Sequence, residues 1–141
     1  AESKNQHLQA FGMNDGSINI INSKGQKTRL VGHLSRISKL KVNGHRLYSA
    51  SYDGTLNLWL TNSAKIDPMP LFTTKGWIIN FTFDLQKYFV WSGDQNGNLT
   101  RALISVPEMQ ERLQAKLKRN MTHEEWNYYV GRNIPYEKVI K

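Results

Sequence analysis

Residues 32–59 read GHLSRISKLKVNGHRLYSASYDGTLNLW, and this stretch decides how the rest of the chain is interpreted. It begins with Gly-His, continues through two runs of alternating apolar residues, turns at Asp53-Gly54 and ends on Trp59. Alternation with a period of two is typical of β-strands, and Asp-Gly between two such runs is typical of a hairpin turn. The stretch therefore predicts a small antiparallel sheet.

The same turn occurs three times along the chain. Residues 14–22, 52–60 and 95–103 read NDGSINIIN, YDGTLNLWL and QNGNLTRAL. Their turn residues Asp15, Asp53 and Asn96 lie 38 and 43 positions apart. A repeat of about 40 residues with four short strands is typical of β-propeller blades. We therefore predict consecutive blades.

The middle repeat carries the marks of the WD40-repeat family and resembles it closely. These marks are Gly32-His33, the inner-strand residues Ile37, Leu40 and Val42, and then Ser49, Asp53 and Trp59. The resemblance extends over about residues 8–104 but weakens outside the middle repeat, where Thr74 replaces the histidine and Ala102 the tryptophan. It implies an all-β fold, a partial WD40-type β-propeller of about two and a half four-stranded blades.

A helical C-terminal tail follows the blades. We expect the blades in residues 1–105 and a two-helix extension in 106–141 that packs on the propeller. Pro107 suits a first helical turn, and apolar residues four apart predict a helix that runs to about Arg119. Thr122 and Glu125 form a capping-box pattern for the second helix. The tail resembles the C-terminal extension of bacterial WD40 signalling proteins.

The blades predicted from the sequence do not make a ring. We expect the first blade to lack its innermost strand and the third to have three strands. Propellers close as rings of about four to eight blades, and an open arc leaves an unpaired strand edge in water. We therefore expect a second polypeptide or a preceding segment to complete the ring. Assembly of several copies is the alternative.

Composition restricts the classes of function. The chain has 19 Lys and Arg against 11 Asp and Glu, a formal charge of +8, and no cysteine. Without cysteine the chain forms no disulfide or thiolate zinc site, and His7, His45 and His123 lack a second ligand at metal spacing. We expect no metal and no cofactor. No apolar run approaches the roughly 20 residues of a membrane span, so we expect a cytoplasmic protein.

His33, Ser49 and Asp53 are the residue types of a hydrolase triad. The WD40 resemblance implies a different use of them. It implies a buried, structural hydrogen-bond chain that runs from the Trp59 indole through Ser49 and His33 to Asp53. We therefore expect no catalytic residue and no enzymatic activity in this chain.

The resemblance also indicates where a partner binds. Family position places six residues on the face formed by the loops before the inner strands and by the hairpin turns: Leu34, Arg36, Tyr52, Lys75, Trp77 and Gln95. Arg, Tyr and Trp dominate interface energetics, which favours Arg36, Tyr52 and Trp77. Packing of Trp77 against the neighbouring blade is the alternative.

The predicted function is a non-catalytic protein-interaction or sensor module, a scaffold that positions a partner protein. Nucleic-acid binding is the alternative function. It is suggested by seven basic residues between Lys24 and Arg46, a segment without any acidic residue.

Overall fold

Antiparallel strands provide most of the regular structure, as the alternating sequence predicts. The structure is a computed structural model that describes residues 2–3, 8–84, 86 and 88–138. In these residues, eleven strands form three antiparallel sheets, two of four strands and one of three, and two helices follow. The chain divides into two units, Ala1–Ala102 and Leu103–Lys141. The predicted class, a partial propeller of four-stranded blades with a short helical tail, is confirmed.

The first sheet has four strands rather than the three expected. They are β1 (Glu2–Ser3), β2 (Leu8–Gly12), β3 (Ile18–Ile21) and β4 (Lys27–Leu30), in that order. The prediction of a missing innermost strand is therefore wrong. Glu2 and Ser3 pair with Gln9 and Leu8, and two residues are too few to show an alternating pattern in the sequence.

The second sheet is formed by the stretch that decides the fold. Its strands are β5 (Ile37–Asn43), β6 (Arg46–Ser51), β7 (Thr55–Leu60) and β8 (Met69–Thr73). Strand β8 includes Pro70, which has no N–H to donate and is tolerated because β8 lies at the edge of the sheet. The pairing of β7 with β8 shifts register between Leu56 and Asn57, next to this proline.

The third sheet contains β9 (Ile78–Phe83), β10 (Phe89–Asp94) and β11 (Leu99–Leu103). Its order is β11-β10-β9, so β9 is the inner strand and β11 the outer strand. This sheet has three strands, as expected from the sequence.

Glycine fixes the three repeated turns. Gly16, Gly54 and Gly97 have φ angles of 84, 82 and 80°, a region that other residues enter only at a cost. In each turn the glycine N–H donates to the carbonyl of the residue three positions before it, at 3.3, 3.2 and 3.1 Å. Because the turns match, residues at the same offset from each glycine occupy equivalent positions in the three sheets.

The sheets pack face to face through apolar side chains. Between the first and second sheets, Ala10, Ile18 and Ile37 belong to one buried cluster. Between the second and third sheets, the Tyr48 ring meets the Phe83 ring edge to face at 4.8 Å, and Tyr48 is 1% exposed. Burial of side chains of this size contributes about 2 kcal/mol each.

Helix α1 (Val106–Gln114) begins as predicted and ends earlier than predicted. The Ser105 side chain caps its start, and Pro107 lies in its first turn. The prediction that it runs to about Arg119 is wrong. The backbone N–H of Lys116 bonds to the Leu113 carbonyl at 3.0 Å, which tightens the last turn and ends the helix.

Helix α2 (His123–Tyr129) has the predicted capping box. The Thr122 hydroxyl accepts from the Glu125 N–H, and the Glu125 carboxylate accepts from the Thr122 N–H. After the helix, the Trp126 indole N–H donates to the Ile134 carbonyl at 2.9 Å, and its ring lies edge-on to Tyr136 at 5.5 Å. Packing of the two helices on the propeller stays a prediction.

Candidate functional site

A chain of hydrogen bonds passes through the second sheet. The Trp59 indole N–H donates to Ser49 Oγ at 2.7 Å, and Ser49 Oγ lies 2.7 Å from His33 Nε2. On the other side of the ring, His33 Nδ1 lies 3.1 Å from Asp53 Oδ2. The structure thus brings together the four side chains that the resemblance connects.

The partners determine the proton on His33. An indole N–H only donates, so the Ser49 hydroxyl accepts from Trp59 and has its own hydrogen left to donate to Nε2. The Asn57 amide nitrogen, which also only donates, lies 3.4 Å from the same Nε2, so this ring nitrogen is the acceptor. The remaining ring proton is then on Nδ1 and faces the Asp53 carboxylate. The imidazole is neutral in this arrangement.

Burial agrees with a neutral imidazole. Burial, the largest influence, lowers the pKa of His33 below its ordinary 6.5, and the Asp53 carboxylate offsets only part of this effect. Burial is also the largest influence on Asp53 and raises its pKa. Hydrogen bonds from Thr55 and from the Leu34 N–H outweigh burial, so the pKa of Asp53 is lowered from 3.8.

Solvent access decides against hydrolysis at this site. Ser49 is 0% exposed and His33 is 4% exposed. A serine nucleophile must reach a substrate carbonyl, but here the hydroxyl is occupied by the Trp59 indole and closed off from solvent. The hypothesis of a hydrolase using Ser49 and His33 is therefore abandoned.

The third sheet lacks an equivalent hydrogen-bond chain. Ser92 stands at the position of Ser49 and is buried, but its hydroxyl has no hydrogen-bond partner among the described residues. Thr74, in place of the histidine, donates to the Gly76 carbonyl at 2.7 Å instead. Ala102, in place of the tryptophan, has no indole to offer. Because the third repeat lacks both the histidine and the tryptophan, the buried Ser92 hydroxyl has no hydrogen-bond partner among the described residues.

Sequence reasoning missed two residues that hold the turns. Thr55 donates to Asp53 Oδ1 at 2.6 Å and also lies 2.8 Å from His33 Nδ1. In the third sheet, Asp94 rather than Asn96 supplies the carboxylate, which accepts the backbone N–H groups of Asn96 and Asn98 at 2.9 Å. A carboxylate two residues before an Asn-Gly turn is the signal that would have identified Asp94.

Arg36, Tyr52 and Trp77 form a connected group, which we call the aromatic cluster. The rings of Tyr52 and Trp77 stack at 5.0 Å with 9° between their planes. The Arg36 guanidinium lies over the Tyr52 ring, 5.7 Å from its centre. Trp77 remains 50% exposed, so it both packs on the neighbouring sheet and faces solvent.

Backbone hydrogen bonds hold this cluster in place. The Tyr52 N–H donates to the Arg36 carbonyl at 2.9 Å, and the Gln95 N–H donates to the Trp77 carbonyl at 3.0 Å. The two bonds are equivalent in the second and third sheets. Each ties a hairpin turn to the loop before the inner strand, so the cluster stands on fixed backbone.

The other three predicted face residues are exposed. Leu34 is 92% exposed, while its backbone N–H bonds to the Asp53 carboxylate at 2.8 Å. The side chains of Lys75 and Gln95 are also exposed. The structure brings the side chains of Arg36, Tyr52 and Trp77 together and leaves these three as neighbours of the cluster along the chain.

Three of the seven basic residues between positions 24 and 46 have separate partners among the described residues, and these are Arg29, Lys39 and Lys41. Arg29 pairs with Asp15 at 2.8 Å. Lys39 bonds to Asn80, and Lys41 lies 5.1 Å from the Phe83 ring centre. These contacts distribute the positive charge over several parts of the surface.

Two searches of the described residues concern metals and membranes. No three His, Asp or Glu residues of this part of the chain come together as a set of metal ligands. Neither helix that the structure describes is long and apolar enough to cross a membrane.

Comparisons with solved structures identify a propeller-like fold. A chain in the crystal structure of the mitotic checkpoint complex matches at a TM-score of 0.61 and 18% identity, covering 68% of this chain and 31% of its own. The computationally designed Ika8 protein matches at 0.58 and 23% identity, covering 69% of this chain and 32% of its own. This chain therefore spans about a third of the length of these structures. No family model and no curated protein matches the sequence.

Proposed function

We propose that this chain is a non-catalytic protein-interaction module, part of a WD40-type propeller, and that the aromatic cluster recognises its partner. The partly exposed stack of Tyr52 and Trp77, with the Arg36 guanidinium 5.7 Å from the Tyr52 ring centre, is the observation that carries the proposal. Two observations support it. Solved structures with a propeller-like fold match the chain, and the sequence of the second sheet carries the marks of the WD40 family.

The cluster has the physical properties of a binding hot spot. Tyr, Trp and Arg bury large areas with few rotatable bonds, and a preformed stack loses little further entropy on binding. Half of the Trp77 surface is free to be covered. The partner therefore gains apolar contact without having to order the site first.

Charge indicates the chemistry of the partner. Arg36 belongs to the cluster and Lys75 is exposed two residues before Trp77. The nearby Asp53 carboxylate already accepts hydrogen bonds from His33, Leu34 and Thr55. The preferred ligand is thus an acidic peptide segment with an apolar side chain that covers the indole.

Selection from a random peptide library displayed on phage, with the purified chain as bait, tests this proposal. We expect enriched peptides to be acidic and to lose at least about 10-fold in affinity for a Trp77→Ala variant, because truncated hot-spot residues cost more than about 1 kcal/mol. Tyr128→Ala is the matched control, since Tyr128 is 82% exposed and lies outside the cluster. Enriched peptides that bind Trp77→Ala as tightly as the original chain would refute the proposed site.

Nucleic-acid binding is the alternative function, suggested by the formal charge of +8. Phosphate contacts would make affinity for a DNA or RNA oligonucleotide fall steeply as salt increases. We expect no measurable binding of either oligonucleotide at low ionic strength. Tight, salt-dependent binding would favour the alternative over the peptide-binding module.

We also propose that blades from outside residues 1–141 complete the propeller ring. The three sheets are fewer than the roughly four to eight blades of closed rings. A completed ring would keep the loops that carry the cluster fixed relative to one another.

A further inference from the structure

Four dipeptides of the chain join an Asp or Asn residue to glycine. They are Asp15-Gly16, Asn43-Gly44, Asp53-Gly54 and Asn96-Gly97. In the two Asn-Gly pairs, a side-chain amide stands next to a backbone nitrogen that no side chain shields, since glycine has no Cβ. This arrangement lets the backbone nitrogen attack the side-chain carbonyl carbon, which is the first step of deamidation.

The Asn96-Gly97 turn is held by hydrogen bonds. The Gly97 N–H donates to the Asp94 carbonyl at 3.1 Å. The Asp94 carboxylate accepts the N–H groups of Asn96 and Asn98, each at 2.9 Å. The nitrogen that would attack is therefore already engaged, and the backbone of the residue that carries the amide is held as well.

The Asn96 side chain also lies against a neighbouring loop. Its Nδ2 atom is 2.7 Å from the position of a Cβ built on Gly76, in the loop before β9. The amide must leave this loop before its carbonyl carbon approaches the Gly97 nitrogen.

The Asn43-Gly44 pair, where β5 turns into β6, lacks these restraints. Among the described residues, the Gly44 N–H has no hydrogen-bond acceptor, and the Asn43 side chain has no hydrogen-bond partner. Asn43 is exposed, and Gly44, with a φ of 58°, has no atom beyond its chain neighbours within 4 Å of a Cβ built on it. Both the attacking residue and the amide it attacks are thus exposed.

The two Asp-Gly turns are restrained in the same way as Asn96-Gly97. The Gly16 N–H donates to the Met13 carbonyl at 3.3 Å, and the Gly54 N–H donates to the Ser51 carbonyl at 3.2 Å. Within the described part of the chain, Gly44 is therefore the one glycine of the four pairs whose N–H has no acceptor.

We propose that Asn43 is a site of spontaneous deamidation. The Gly44 nitrogen loses its proton to a base in the solvent and bonds to Cγ of Asn43, and the Cγ–Nδ2 bond breaks to release ammonia. The product is a cyclic succinimide. Water then opens the ring at Cγ, which gives aspartate, or at the backbone carbonyl carbon, which gives isoaspartate. The net change is uptake of water and loss of ammonia, without oxidation or reduction.

The new carboxylate changes the charge of a basic part of the chain. Residues 24–46 contain seven basic side chains and no acidic one. Asn43 lies directly opposite Arg46 in the pairing of β5 with β6, and the ion pairs among the described residues do not include Arg46. Deamidation lowers the formal charge of +8 by one and places a carboxylate opposite this arginine, a favourable cross-strand pair.

Peptide mapping by mass spectrometry of the full chain, incubated in mildly alkaline buffer, tests this proposal. One sample is folded, and a second is unfolded in guanidinium chloride, where neither turn keeps its structure. The quantity measured in each sample is the ratio of the deamidation rate at Asn43 to that at Asn96. We expect this ratio to be at least about 5-fold larger in the folded sample, the factor that corresponds to one hydrogen bond worth about 1 kcal/mol.

Asn43→Gln is the matched variant, because the longer side chain has to close a larger ring and does so more slowly. In isoelectric focusing, the original chain should accumulate a more acidic form, and most of this form should be absent from the variant. The slower conversion at Asn96 should be the same in both chains. Circular dichroism before and after incubation shows whether the folded samples remain folded.

Two outcomes would overturn the proposal. Equal ratios in the folded and unfolded samples would show that the two turns do not control the reaction. An Asn43 amide that persists in the folded chain, while the unfolded chain loses it, would show that the turn between β5 and β6 protects this residue.

Discussion

Ser49 and Ser92 are equivalent residues with different surroundings. Both are buried, but among the described residues Ser49 has two partners, the Trp59 indole and the His33 ring, and the Ser92 hydroxyl has none. A buried hydroxyl stabilises a fold when it is paired and costs free energy when it is not. Replacing either serine by alanine is therefore the same chemical change made in two different surroundings.

We predict that Ser49→Ala lowers the free energy of unfolding by about 2 kcal/mol, because the indole N–H and the imidazole both lose a buried partner. Ser92→Ala should change it by less than about 0.5 kcal/mol or increase it, since no hydrogen bond is lost. Urea unfolding of the three proteins measures both values. Equal losses would show that the hydrogen-bond chain does not stabilise the second sheet.

The neutral state of His33 predicts a pH dependence. Its pKa in the folded protein is lowered by burial, so below pH 6.5 the unfolded chain binds a proton that the folded chain does not. Stability from this group is complete above 6.5 and is lost as the pH falls toward the lowered value. The stability that the lowered pKa of Asp53 provides is complete above 3.8 and is lost only at lower pH, outside this range.

We therefore predict that the free energy of unfolding decreases as the pH falls below about 6.5, the ordinary pKa of histidine. His33→Gln should remove most of this decrease. His45→Gln is the control and should retain it, because His45 is exposed. Imidazole NMR of the folded protein should show His33 neutral with its proton on Nδ1. Titration of His33 at or above 6.5 would contradict the assignment.

At the level of strands and turns, the three glycine turns separate local geometry from packing. Gly54 and Gly97 have nearly the same φ, 82 and 80°, so a side chain strains the backbone equally at both. Only Gly54 lies against the carbonyl of Thr74, and Gly97 faces open space among the described residues. The difference in stability between a substitution at Gly54 and one at Gly97 therefore measures how tightly the second sheet packs against the third.

We predict that Gly54→Ala destabilises the chain by about 1–3 kcal/mol more than Gly97→Ala, the usual cost of overpacking. Urea unfolding of the two variants gives this difference directly. Equal costs would show that the loop before β9 does not press on the turn.

The start of α2 depends on a charged side chain that can be titrated. Arg119, the largest influence, and the Thr122 N–H both favour ionised Glu125 and lower its pKa from 4.5 to about 2. The Arg119–Glu125 contact is bidentate, with both bonds at 2.7 Å.

We predict that Arg119→Gln moves the pKa of Glu125 back toward 4.5, as followed by NMR of the side-chain carboxyl. Arg132→Gln is the control and should leave the pKa of Glu125 unchanged, since Arg132 is not among the causes of its shift. An unchanged value in Arg119→Gln would contradict the ion pair.

Sequence reasoning succeeded where a pattern extends over many residues. The repeated Asp-Gly and Asn-Gly turns located the three sheets, and Thr122 with Glu125 located the second helix. It failed where the start or end of an element depends on a few local hydrogen bonds. Two residues of β1 carry no alternation, and the end of α1 at Gln114 follows from a tightened turn rather than from a change in composition.

The candidate site was partly visible in the sequence for the same reason. The WD40 resemblance implied that Arg36, Tyr52 and Trp77 lie on one face. The stack between Tyr52 and Trp77 joins side chains of different sheets, and it depends on how two sheets pack. The exposure of Leu99 is also invisible in the sequence, since an equivalent leucine at position 56 is fully buried.

At the level of the whole molecule, the aromatic cluster joins the second and third sheets. Recognition of a partner at this cluster therefore depends on how these two sheets pack against each other.

A ¹⁵N NMR titration of the full chain with a peptide selected on phage locates the recognition surface residue by residue. We predict that the largest shift changes occur at the Trp77 indole and at the backbone amides of Arg36, Tyr52 and Gln95, with β11 unaffected. Loss of these changes in Trp77→Ala, but not in Tyr128→Ala, would support recognition by the aromatic cluster. Changes confined to Leu99 and Arg101, or spread over the basic residues of the first sheet, would contradict it.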